Sequence, residues 1–92
     1  MIIRILGEGQ LEVDDSRLGQ LNELDSAVER AVEAGDEAAF RQALDALLTS
    51  VRESGSPLAD DSLVPSDAVV PGSDSTLSEV RDLLGDEGLI PG

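Results

Sequence analysis

The chain contains no cysteine, histidine, lysine, tyrosine or tryptophan, and Phe40 is its only aromatic residue. Each absence removes a chemistry. Without histidine and cysteine, neither the usual zinc sites nor the Ser-His and Cys-His pairs that activate a nucleophile can be assembled. Without lysine there is no Schiff base, no Ser-Lys dyad and no Walker A lysine to grip a phosphate. The missing tyrosine and tryptophan take away phenolic acids and the flat rings on which bases or sugars stack. Long apolar runs are missing too. They do not exceed about three residues, against the roughly 20 that a membrane-spanning helix needs. Met1 to Leu6 offers neither the basic start nor the apolar stretch of a signal peptide. The expected location is therefore the cytoplasm, with no direct membrane insertion.

What is present is acid. Twenty Asp and Glu face six bases, for a formal charge of −14, and every base is an arginine. A phosphate backbone repels such a chain, so nucleic acid is not an expected partner, and anionic lipid is disfavoured for the same reason. The charge excess fits a salt-rich, halophilic cytoplasm, where self-repulsion is screened. Codon bias in a GC-rich genome is the plainer explanation for arginine without lysine. At 92 residues the chain makes one domain, with a small and almost wholly aliphatic core.

The apolar pattern predicts an α+β fold. Met1–Leu6 and Leu11–Val13 flank the glycine-containing turn Gly7-Glu-Gly-Gln10, which reads as an N-terminal β-hairpin over 1–13. Asp14, Asp15 and Ser16 supply capping oxygens for a helix over 16–34, whose stripe runs Leu18, Leu21, Leu24, Val28, Ala31, Val32. Gly35 suits the left-handed position that stops it, and Asp36 caps the next helix, over 37–54, with the stripe Phe40, Ala43, Leu44, Leu47, Leu48, Val51. Two such helices with so short a joint form an antiparallel αα-hairpin, with arms of roughly 27 Å. A short additional strand is expected at 67–71, on a sheet edge because prolines bracket it. Thr76-Leu-Ser-Glu79 has capping-box spacing and opens a short C-terminal helix over 77–84.

Carboxylates and arginines are the remaining chemical material. A glycosidase-like carboxylate pair needs a shaped pocket with the two groups about 5–10 Å apart, and so small a domain has little material for one. The acid pairs Asp14-Asp15, Asp36-Glu37, Asp60-Asp61 and Asp86-Glu87 lack the loop pattern of an EF-hand. Gly7-Glu-Gly9 lacks the third glycine of a phosphate loop and puts a glutamate where an anion would approach. No catalytic residue, cofactor or metal site is assigned. Val28, Val32, Leu48 and Val51 are expected in the core. The off-stripe Ala27 and Ala38-Ala39 would let another helix approach closely, although alanine is also ordinary helix composition. The candidate partner-binding residues are Glu23, Glu29 and Glu33 on the first helix, with Leu89 and Ile90 as a second contact or as a short final strand of the core.

Six pieces in order resemble the PspA-associated protein family, PspAA. They are Met1-Ile-Ile-Arg-Ile-Leu-Gly-Glu-Gly-Gln10, Leu21-Asn-Glu-Leu-Asp25, Gly35-Asp-Glu37 with Phe40, Val51-Arg52 with Gly55, Ser66-Asp67 with Pro71, and Gly88-Leu-Ile-Pro-Gly92. The similarity covers essentially the whole chain. It implies a small accessory domain, of the kind found in archaea and actinobacteria beside PspA, the coiled-coil membrane-remodelling protein of the phage-shock envelope stress response. The implied partner is thus a PspA-type coiled-coil protein, which would hold this domain peripherally at the inner face of the membrane. The resemblance implies no catalytic activity and carries over no functional residues. Two rivals remain: a carboxylate-based hydrolase or enzyme subunit, and an acidic inhibitor that mimics nucleic acid towards a basic partner.

Overall fold

The computed structural model describes residues 1–59 and 64–83. Its elements are β1 (Ile2–Ile5), β2 (Gly9–Val13), a 3-10 turn (Asp15–Arg17), α1 (Leu18–Ala34), α2 (Glu37–Ser54), β3 (Gly55–Pro57), β4 (Ala68–Val70) and α3 (Leu77–Leu83). The fold is α+β, with an N-terminal hairpin, a helical hairpin, further strands and a short third helix. The four strands make one sheet in the order β3-β2-β1-β4. The β1–β2 and β2–β3 pairs are antiparallel, while β4 runs parallel to β1.

Local chemistry sets the boundaries. The β1–β2 turn is one residue tighter than the glycine spacing predicts, because Gly9 already pairs with Ile5 and Gln10 with Arg4. Gly7 and Gly9 take φ of 86° and 122°, which only glycine adopts cheaply. Asp14 caps the 3-10 turn, accepting from the Ser16 N–H at 2.9 Å, so α1 starts at Leu18, later than the predicted 16. At the other end Gly35 is left-handed (φ 69°). Its N–H bonds the Val32 carbonyl and the Asp36 N–H bonds that of Ala31, which closes α1 in a Schellman arrangement. The Asp36 side chain then accepts from the Ala39 N–H and starts α2. Thr76 and Glu79 exchange hydrogen bonds at the start of α3, completing the capping box.

Three residues of β3 follow α2 without a loop. Gly55 stands there for lack of room, since a Cβ would lie 2.8 Å from the Val51 carbonyl oxygen and 2.9 Å from the Leu11 Cβ. Ile3, Ile5, Leu11, Val13, Ala68 and Val70 form the inner face of the sheet. They pack with Leu21, Val28, Val32, Phe40, Leu44, Leu47, Leu48 and Val51 of the helical hairpin and with Leu77 and Val80 of α3. Phe40 is wholly buried, so truncating it to alanine would cost about 3–5 kcal/mol, a large share of what a domain this size commands. On the other face of the sheet, Gln10 Nε2 donates to the Val64 carbonyl and the Ser66 hydroxyl at 2.9 and 2.7 Å. Residues 64–66 therefore lie across Gln10, which is why this outward-pointing side chain is buried.

Candidate partner-binding face

With the sheet on one side, the helical hairpin turns its other side to solvent. There α1 and α2 leave an open groove of about 440 Å³ floored by Ala27, Ala31, Ala34, Ala39 and Ala43. Arg30, Asp36 and Gln42 stand at its rim. The groove exists because alanine occupies each of these facing positions. A leucine at any of them would fill the space that a neighbouring helix could enter. Of the off-stripe alanines singled out by the sequence, Ala27 and Ala39 line this groove, whereas Ala38 is exposed outside it.

The acidic candidates on α1 do not form a single row. An α-helix turns about 100° per residue, so Glu29 and Glu33 sit one turn apart, and Glu23 lies roughly 80–120° around from them, on the side of Ala27 and Ala34. Glu23 and Glu33 are exposed, and Glu29 is half-buried. Burial pushes the Glu29 carboxyl above the usual carboxylate range, and the nearby charges of Asp25 and Glu33 push it further. Asp25 is a residue that stripe reading misses. It is 3% exposed, between the buried Leu21 and Val28, while Leu24, the expected core residue, is only partly buried. A carboxylate four residues after one core leucine and three before a core valine is the available signal, visible once the buried face of α1 is turned toward it.

Two further concavities carry charged side chains, the first mainly polar and the second mixed. One, of about 410 Å³, lies between Met1, Glu12, Asp14, Asp15, Ser54 and Ser56. The other, of about 330 Å³, lies beside Glu8, Gln10, Arg52 and Leu58. Apart from Glu12, their charged groups already have partners. The Ser16 N–H draws the Asp14 carboxyl below its ordinary range, Asp15 faces the Met1 amine, and Glu8 is held by Arg52. Among the described residues no three carboxylates gather as a metal would require, and no buried side-chain nitrogen or oxygen lacks a hydrogen-bond partner. No helix among them is long and apolar enough to cross a membrane. Leu89 and Ile90 lie outside the described residues.

Residues 1–92 match the family model described as PspA-associated protein, PspAA. No curated protein and no solved structure matches the chain.

Proposed function

The chain belongs to the PspA-associated protein family, and on that premise we propose that it is a non-catalytic accessory protein of the PspA membrane-stress system, acting by protein–protein contact. The whole-chain family match carries this reading. Two features of the molecule support it. The alanine-floored groove on the outer side of the αα-hairpin has the shape to receive one helix of a coiled coil, with small residues permitting close backbone approach. The net charge of −14 favours a partner with a basic face, and complementary charge raises the association rate and sets register. In this reading the domain reaches the membrane only through its partner, since its own charge opposes anionic lipid.

The test uses the purified full chain and a PspA-type protein from the same cell, with binding read by calorimetry at the native salt concentration. Three variants divide the surface. Ala34→Leu narrows the groove, Glu23→Lys reverses charge on the groove side, and Glu33→Lys does so on the opposite flank. Loss of affinity with Ala34→Leu and Glu23→Lys but not with Glu33→Lys places the partner in the groove. Unchanged affinity in all three removes the helical hairpin as the contact.

A further inference from the structure

Among the described residues, the large apolar side chains left exposed are Leu6, Val64 and Val69, at 44%, 45% and 39%. They are distant in sequence but border one patch. Val69 pairs in register with Arg4, and both point away from the core while their neighbours Ile3, Ile5, Ala68 and Val70 are buried. Leu6 follows two residues after Arg4 on the same face, and its N–H bonds the Val70 carbonyl. Val64 lies over Gln10, and Gln10 pairs with Arg4 from the other side. Arg4 thus stands on the outward face of the sheet between Val69 of β4 and Gln10 of β2, with Leu6 two residues on and Val64 across Gln10.

Two properties of this patch bear on what it would bind. First, among the described residues Arg4 has no carboxylate partner. The ion pairs among the described residues join Glu8 to Arg52 and the Met1 amine to Asp15, and Arg4 makes one exposed 3.3 Å bond from Nε to the Ser66 hydroxyl. Second, among the described residues β4 is the edge of the sheet, and Ala-Val-Val carries no charge to defend that edge. Pro65 and Pro71 bracket it, so the open edge is about three residues long and accepts only a short segment.

We propose that this edge is a docking site for an extended segment of a partner protein that adds to β4 as a fifth strand, with aliphatic side chains on either side of a carboxylate. This surface lies across the sheet from the groove of the αα-hairpin, and the inference stands apart from the identity of the partner in that groove. Main-chain bonds to β4 supply the pairing, and the exposed side chains supply the selection. A strand added beside β4 lies two strand spacings from β1, roughly 9.6 Å. Swung from its contact with Ser66 across Val69, the Arg4 side chain and a glutamate reaching back together span that distance. A second copy of this chain fits less well. Antiparallel pairing of two β4 strands puts valine on valine, brings no carboxylate to Arg4 and sets one charge of −14 against another.

The experiment titrates the 15N-labelled full chain with the blocked peptide Val-Thr-Glu-Thr-Val and its Val-Thr-Lys-Thr-Val counterpart, reading amide shifts. Expected are saturable shifts at Arg4, Leu6 and Ala68–Val70 with the glutamate peptide and about tenfold weaker binding of the lysine peptide. Arg4→Gln should abolish that preference, and Val69→Lys should weaken binding of both peptides. The proposal is overturned by an absence of shifts up to about 5 mM peptide, by equal response to the two peptides, or by shifts on α1 and α2 instead. Concentration-dependent shifts at β4 without peptide would also overturn it, by making a second copy the occupant. The swap of charge in the peptide keeps the test decisive even if Arg4→Gln folds poorly.

Discussion

Arg52 near the end of α2 donates from Nε to Glu8 Oε1 at 3.0 Å and from Nη2 to Glu8 Oε2, so the helix grips the β1–β2 turn through a forked pair. This is a link between layers, joining residues 44 apart in the chain. Both side chains are about two-fifths exposed, 42% and 40%, which limits the pair to about 0.2–1 kcal/mol. Glu8→Gln and Arg52→Gln should each lower Tm by roughly 1–6 °C, and the double variant by little more than either alone. The hydrogen bond from Arg52 is the main cause holding the Glu8 carboxyl below 4.5. Its stabilisation is therefore present above pH 4.5 and is lost as pH falls through the lower folded-state value. Thermal melts of wild type and Glu8→Gln between pH 7 and pH 3 should converge at the acid end.

Glycine substitutions should have opposite signs at two positions. Gly55→Ala forces a Cβ against the Val51 carbonyl and the Leu11 side chain, where α2 meets β3, and should cost about 1–3 kcal/mol. Gly19→Ala, exposed in the first turn of α1 with no atom within 4 Å of its Cβ, should stabilise by about 0.5–1 kcal/mol. Urea unfolding of the two variants checks both at once.

Glu29→Gln should be mildly stabilising at pH 7. Burial and the neighbouring charges of Asp25 and Glu33 raise the Glu29 pKa, so the ionised form costs stability above the folded-state value. Removing a like-charge neighbour one turn from Glu33 is worth about 0.2–0.5 kcal/mol. The advantage should shrink as pH falls toward 4.5, where the wild-type carboxyl takes up its proton. Paired urea curves at pH 7 and pH 4.5 read the difference.

Gln10→Ala should release the segment that crosses the outer face of the sheet. Its amide is buried and donates to the Val64 carbonyl and the Ser66 hydroxyl, and losing both bonds should cost about 1–2 kcal/mol. Hydrogen exchange at residues 64–67 should quicken more than exchange in α1 and α2.

The helical hairpin was legible in the sequence because its signals are local. A stripe at helical spacing, Gly35 to stop α1 and Asp36 to start α2 lie within one stretch of chain. The hairpin at the N-terminus was legible in kind but not in register, since pairing Gly9 with Ile5 depends on the turn geometry that two glycines allow. Strand β3 was not legible. Gly-Ser-Pro has no apolar alternation, and its extended form comes from pairing with β2. The parallel partnership of β4 with β1 joins Ile3 to Ala68, too distant for any window of sequence. The candidate site divides in the same way. Ala27 and Ala39 stood out as off-stripe positions, but the groove they floor depends on how closely α1 and α2 approach. The Arg4 patch needed the register of three strands to become visible.

The most direct measurement is recovery of partners by the tagged full chain from a lysate of its own cells at native salt, identified by mass spectrometry. A PspA-type protein should be the reproducible main partner, retained without added metal or cofactor. Recovery of a basic nucleic-acid-binding protein or an enzyme's catalytic subunit, with no PspA-type protein, would contradict it.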